Sequence, residues 1–265
     1  MTAVTPLTAP AIRMLMPAEP AIFSVPARHN PRLQALTERI NADEELRQLW
    51  RSANINAVGR LGLGDSGEVH VRIVANAGLK LLRLLREAGH QPAVVVQHRP
   101  AVVVQHRPAV VVQHRLTPDE AEIIVVLAAV HDLGLAVHTD AHLAARAGLV
   151  LADRKLGELL AVLYPPRERA VLRAEALHAM VAQEADVACL TLEAAVLKLA
   201  DALDLTKGRA RLPAEAGQRV GAANAMLLVD EVTIQRAKAP PVRVVVRLSR
   251  ADGLAAVAPR CCRRN

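Results

Sequence analysis

Residues 128–142 read AAVHDLGLAVHTDAH, so His131, His138, His142, Asp132 and Asp140 follow closely on the apolar run EIIVVLAAV. Imidazole suits divalent transition ions, and a carboxylate adds the negative charge that holds them. Two ligands do not hold a metal. Two further candidates stand in apolar surroundings: His70 in GEVHVRIVAN and Asp201 in LKLADALDLT. A carboxylate among Leu, Ala and Val is costly unless it is paired or coordinated. His178, in ALHAMVAQ, is a further histidine that can serve a second metal or a substrate, as can His138 and His142.

Positioning these residues falls to helices. From Pro31 the apolar residues recur at steps of three and four, which predicts helices over 31–60, then a long one from Glu68 to Gly89. Thr117 and Glu120 fit a capping box with Pro118 at the first helical position, so a buried helix is expected from about 118 to 131. Asp140 and Thr191 fit as N-caps of the next helices. AMLLVDEVTI and VRVVVRL, joined by QRAKAPP, read as two strands. The expected plan is mainly α. It has a Pro-rich, disordered or loosely packed lead-in over 1–30, a helical domain over 31–215, a small β element over 216–250, and a tail over 251–265. Three identical copies of PAVVVQHR start at Pro92, Pro100 and Pro108. They read as a recently duplicated surface loop of short β-prone pieces, an insertion over 92–115, and not as a metal array built on His98, His106 and His114.

The pattern of a His, then His-Asp, then a distant Asp resembles the HD superfamily of metal-dependent phosphohydrolases. VHDLGLAVHTDAH, LEAAVLKLADALDLTKGRARLPAEAG, the late VDEVTI and the stretch from Asn41 to Leu85 are similar to one prokaryotic branch of it. That resemblance implies an HD-type helical bundle in which His70, His131, Asp132 and Asp201 hold the first metal. It also implies catalytic roles at His131 and Asp132, and at His142 and His178, with His138, His142 and His178 available to a second metal or the substrate. The implied reaction is attack of a metal-activated water on a phosphoester or nucleotide. The metal is left open among Mn, Fe, Co, Ni, Zn and Mg. The alternative is a non-catalytic module that binds a metal or nucleotide. Some family positions differ: Ser66, Leu135, Leu143 and Gln183 stand where His, Asn, Glu and His are usual.

Lys207, Arg209 and Arg211 follow the Asp201 helix, and read either as a solvated helix exit or as a phosphate-steering group. The net charge of +7 suits an anionic small molecule. Nucleic acid is a weaker partner, because Phe23, Trp50 and Tyr164 are the only aromatics available for stacking. No apolar stretch nears the roughly 20 residues that span a bilayer. Three cysteines without metal spacing suggest a reducing compartment, so the cytoplasm is the expected location, with a homo-oligomer possible. GDSGE at 64–68 imitates a serine-protease loop, but it joins two helices where that fold needs strands.

Overall fold

A computed structural model of the chain describes residues 23–60, 64–95, 102–104, 107–109, 116–184, 186–205 and 228–249. The fold is mostly helical, with a small antiparallel sheet near its C-terminal end. Each helix starts where the sequence supplies a cap. Helix α1 (Pro31–Ala42) begins at Asn30, whose side chain accepts from the Leu33 N–H. Asp43 then ends α1 and caps α2 (Glu44–Asn54) by accepting from Leu46. A π-helical segment, Ile55–Arg60, extends α2. Helix α3 (Glu68–Glu87) stops before Gly89, whose φ of 92° is the left-handed geometry that glycine adopts most easily. Thr117 and Glu120 make the full capping box of α4 (Pro118–Ala128). Asp140 caps α5 (Ala141–Leu160) and Thr191 caps α7 (Leu192–Ala202); α6 (Pro166–Val181) lies between them.

The core is arranged around α4. Every residue from Glu120 to Ala128 is buried, as expected of a helix that is apolar on all sides. Its two glutamates are paired. Glu122 receives the Arg83 guanidinium through two 2.8 Å hydrogen bonds and sits 3.1 Å from His29. Glu120 accepts from Arg32 at 2.7 Å and from Tyr164 at 3.3 Å. Helix α3 approaches α4 and α7 closely at Gly78. A methyl group there would come within 2.7 Å of Val125 and within 4 Å of Val196 and Ala200. Strands β3 (Val229–Arg236) and β4 (Val242–Leu248) form an antiparallel pair, and buried Ile234 joins it to the helical core.

Three boundaries differ from expectation. The lead-in is not loose up to residue 30: Phe23 is 1% exposed and stacks on Trp50, and Asn41 bonds both the N–H and the C=O of Phe23. Proline-rich composition hid a core aromatic. Helix α4 ends at Ala128, three residues early, and a 3-10 segment, His131–Ala136, follows it. The repeat begins inside the core: Val94 is fully buried and its carbonyl accepts from the Leu116 N–H at 3.3 Å. Between them a short antiparallel hairpin pairs β1 (Val102–Val104) with β2 (Arg107–Ala109). His98, His106, His114, Lys207, Arg209, Arg211 and the tail lie outside the described residues.

Candidate metal centre

Three elements meet at one cluster. His70 comes from the first turn of α3, His131 and Asp132 from the start of the 3-10 segment, and Asp201 from the last turn of α7. Helices α3 and α7 pack side by side, which brings Asp201 to His70. Ending α4 early lets adjacent residues serve the same cluster, because the tighter 3-10 winding turns successive side chains differently from an α-helix.

The 3-10 segment is held from two sides. Asn56, buried on the π-helical segment, donates to the Leu135 carbonyl at 2.5 Å. Gly134 lies directly on the backbone of α5: a methyl group there would fall 1.7 Å from the Ala144 carbonyl oxygen. Gly148 faces it, with Gly134 N 3.1 Å from where its own Cβ would stand. Two glycines thus let the segment rest against a helix backbone.

One ligand atom each from His70, His131 and Asp132 lies within 4.8 Å of the other two. Asp201 joins through both imidazoles. Its Oδ1 is 3.4 Å from His70 Nε2 and 3.7 Å from His131 Nε2. The Asp132 carboxylate stands 3.5 Å from His70 Nε2 and 3.6 Å from His131 Nε2. The two rings are edge to face, with centroids 5.5 Å apart. These separations are too long for hydrogen bonds. They lie close to the roughly 3.3 to 3.6 Å spacing of ligand atoms placed tetrahedrally around one ion at about 2.0–2.2 Å.

His70 supplies the sharpest evidence of fit. The residue is 0% exposed, and among the described residues its Nε2 has no hydrogen-bond partner. Its other nitrogen, Nδ1, donates to the buried Asp204 carboxylate at 2.7 Å. A carboxylate on Nδ1 fixes the tautomer and leaves a lone pair on Nε2, the arrangement of a metal-ligating histidine. A buried nitrogen without a hydrogen is costly unless something accepts its lone pair. Two carboxylates beside two imidazoles complete a set with net negative charge. The donor set fits Mn, Fe, Co, Ni or Zn, and Mg less well.

Beside the cluster opens a cleft of about 370 Å³ to which His131, Asp132 and Asp201 contribute. His138, His142 and His178 are not among its lining residues. His138 is exposed and its Nδ1 accepts from the Asp140 N–H at 2.9 Å, closing the turn into α5. His178 Nε2 accepts from the Leu190 N–H at 3.2 Å. His142 is exposed in the first turn of α5. Among the described residues the cluster is the one group of three or more His, Cys, Asp or Glu side chains placed to share an ion.

The chain is 30% identical, over 217 residues, to the uncharacterized protein MJ1020 of Methanocaldococcus jannaschii; the match covers 80% of this chain and 75% of the archaeal one. The chain belongs to the family of that protein. No protein-family model matches it, and no solved structure does. The chain's helical fold, with a His/Asp group that could bind a metal, fits an HD-type domain. Sequence reading missed two residues at the site. Asp204 reads as a structural carboxylate one turn after Asp201, and nothing local indicates that it reaches His70, 134 positions away. Arg146, which lines the cleft, looks like any solvated arginine on an amphipathic helix.

Proposed function

We propose that this protein is an HD-type metal-dependent phosphohydrolase, with His70, His131, Asp132 and Asp201 as the ligands of one divalent ion. The observation that carries the reading is His70: buried, locked through Nδ1 by Asp204, and presenting an unbonded Nε2 to two carboxylates. An ion held there supplies Lewis acidity toward a phosphoryl oxygen and acidifies water at neutral pH.

The chain's own residues do the rest. Asp204 orients His70 and raises its basicity as a ligand. Gly134, Gly148 and Asn56 hold the 3-10 segment, so His131 and Asp132 keep their places as substrate enters. Leu135, Leu149 and Val181 line part of the cleft with apolar side chains, and low-polarity surface of this kind strengthens the attraction between charges beside it. Arg146 lines the cleft with no ion pair among the described residues, and its guanidinium is available to an anion.

The test is a phosphoester screen with purified protein supplemented in turn with Mn, Fe, Co, Ni, Zn and Mg. The expected result is hydrolysis dependent on the ion and abolished by His131→Ala. Metal binding without turnover of any nucleotide or generic ester supports the alternative, a regulatory module that binds a metal or nucleotide.

A further inference from the structure

We infer that the cleft beside the cluster takes a phosphomonoester with a single phosphate and a compact apolar alcohol portion; this rests on the proposed function and adds the substrate class to it. The cleft's volume of about 370 Å³ is at the small end of the roughly 300–1,000 Å³ usual for ligand sites. That is room for one compact group and a phosphate.

Its lining divides by chemistry. His131, Asp132 and Asp201 bring the metal-ligating groups. Ala144, Ala145 and Leu149 bring an apolar face of α5, Met180 and Val181 the end of α6, and Leu135 the 3-10 segment. Apolar side chains therefore outnumber the polar ones on the described wall away from the cluster, where Arg146, Gln183 and Glu184 are the polar members. A sugar or polyol in contact with that wall would lose hydrogen bonds to water and regain few, whereas an aryl or alkyl group would lose none. Arg146 is the one cation among the described lining residues. Among the described lining residues, one cation beside one metal cluster matches a single terminal phosphate better than a chain of two or three.

The wall is also built to stay in place. Ala144 is 7% exposed and lies over Gly134, so the apolar face of α5 and the ligand-bearing segment form one rigid contact. A ligand that spans the wall and the cluster therefore bridges two elements already in contact.

Phosphonates test this without turnover. Phenylphosphonate and methylphosphonate carry the same anionic head and differ in apolar area. Metal-loaded protein should bind the phenyl compound at least about tenfold more tightly by calorimetry, the result of burying roughly one ring against the wall. Val181→Asn, a change at a position 38% exposed and therefore tolerant, should shrink the ratio severalfold, and Leu149→Asn should do the same. Arg146→Gln should weaken both compounds by a similar factor, roughly fivefold, and leave their ratio unchanged. Metal content, measured on each variant, should stay at the wild-type level. Equal affinity for the two phosphonates, or binding of neither by metal-loaded protein, overturns the apolar-ester assignment and leaves the metal centre standing. A wild-type protein that takes up no metal overturns both.

Discussion

The Asp204 carboxylate accepts a 2.7 Å hydrogen bond from His70 Nδ1 across 134 positions of sequence, and both side chains are buried. The pair determines which nitrogen of His70 is left for a metal. Asp204→Ala should therefore weaken metal binding by roughly 10- to 100-fold while the ligands themselves remain. Competition with a coloured chelator reads this directly. An unchanged dissociation constant would show that His70 needs no orienting partner.

Gly134 makes a separate prediction about shape. No side chain fits 1.7 Å from the Ala144 carbonyl, so Gly134→Ala must push the 3-10 segment off α5. Overpacking of this kind costs typically 1–3 kcal/mol. A lower melting temperature with lost metal is the expected pair of results. A lower melting temperature with full metal content would mean that the segment can shift without disturbing the ligands.

The buried glutamates set the pH limits of stability. Burial pushes the Glu122 carboxyl up, but Arg83 and His29 more than offset this and hold it below the usual range. Burial likewise raises Glu120, and its hydrogen bonds from Thr117 and Arg32 hold it low. A depressed carboxyl contributes stability that is present above its unfolded pKa, about 4.3, and is lost as pH falls through the folded value. Urea midpoints should therefore drop steeply below about pH 4. Glu122→Ala should cost about 3 kcal/mol at neutral pH, because Arg83 is left without its carboxylate.

Glu193 acts in the opposite direction. Burial raises its carboxyl, although it accepts backbone N–H bonds from Ala93 at 3.2 Å and Val94 at 3.5 Å. Its stabilising share is present below the unfolded pKa and is lost as pH rises through the raised one. Glu193→Gln should flatten the stability profile on that side, and a profile of unchanged slope would remove Glu193 from the account.

Much of this fold was legible because its signals are local. The Thr117–Glu120 box and the Asp140 and Thr191 caps need only three or four consecutive residues, and each forms as its spacing suggests. His131-Asp132 stands out for the same reason: a polar pair at the end of an apolar run. What the sequence concealed is tertiary. Phe23 lies in a proline-rich stretch whose composition resembles a linker, yet it packs on Trp50. The contact of Gly134 with Gly148 depends on where α5 turns back. The resemblance offered His138, His142 and His178 to a second metal or the substrate; in the structure His138 and His178 each accept a backbone N–H and His142 is exposed.

The repeat carries its own test. Its ends are anchored, with Val94 buried and Leu116 bonded to it, while its copies are identical. Removing one copy, residues 100–107, keeps the same residues at both anchors. Shortening a loop by eight residues changes closure entropy by less than about 0.6 kcal/mol. The melting temperature should hardly move, whereas Val94→Asp should unfold the protein or nearly so. A large loss on removal of one copy would place the hairpin in the core.

Whether His70, His131, Asp132 and Asp201 hold one divalent ion can be read from metal content. Elemental analysis of purified wild-type protein beside Asp132→Ala, with matched circular dichroism, tests it most directly. About one ion per wild-type chain is expected, with most of it lost in the variant. Equal metal in the two proteins, or none in the wild type after incubation with each ion, would contradict it.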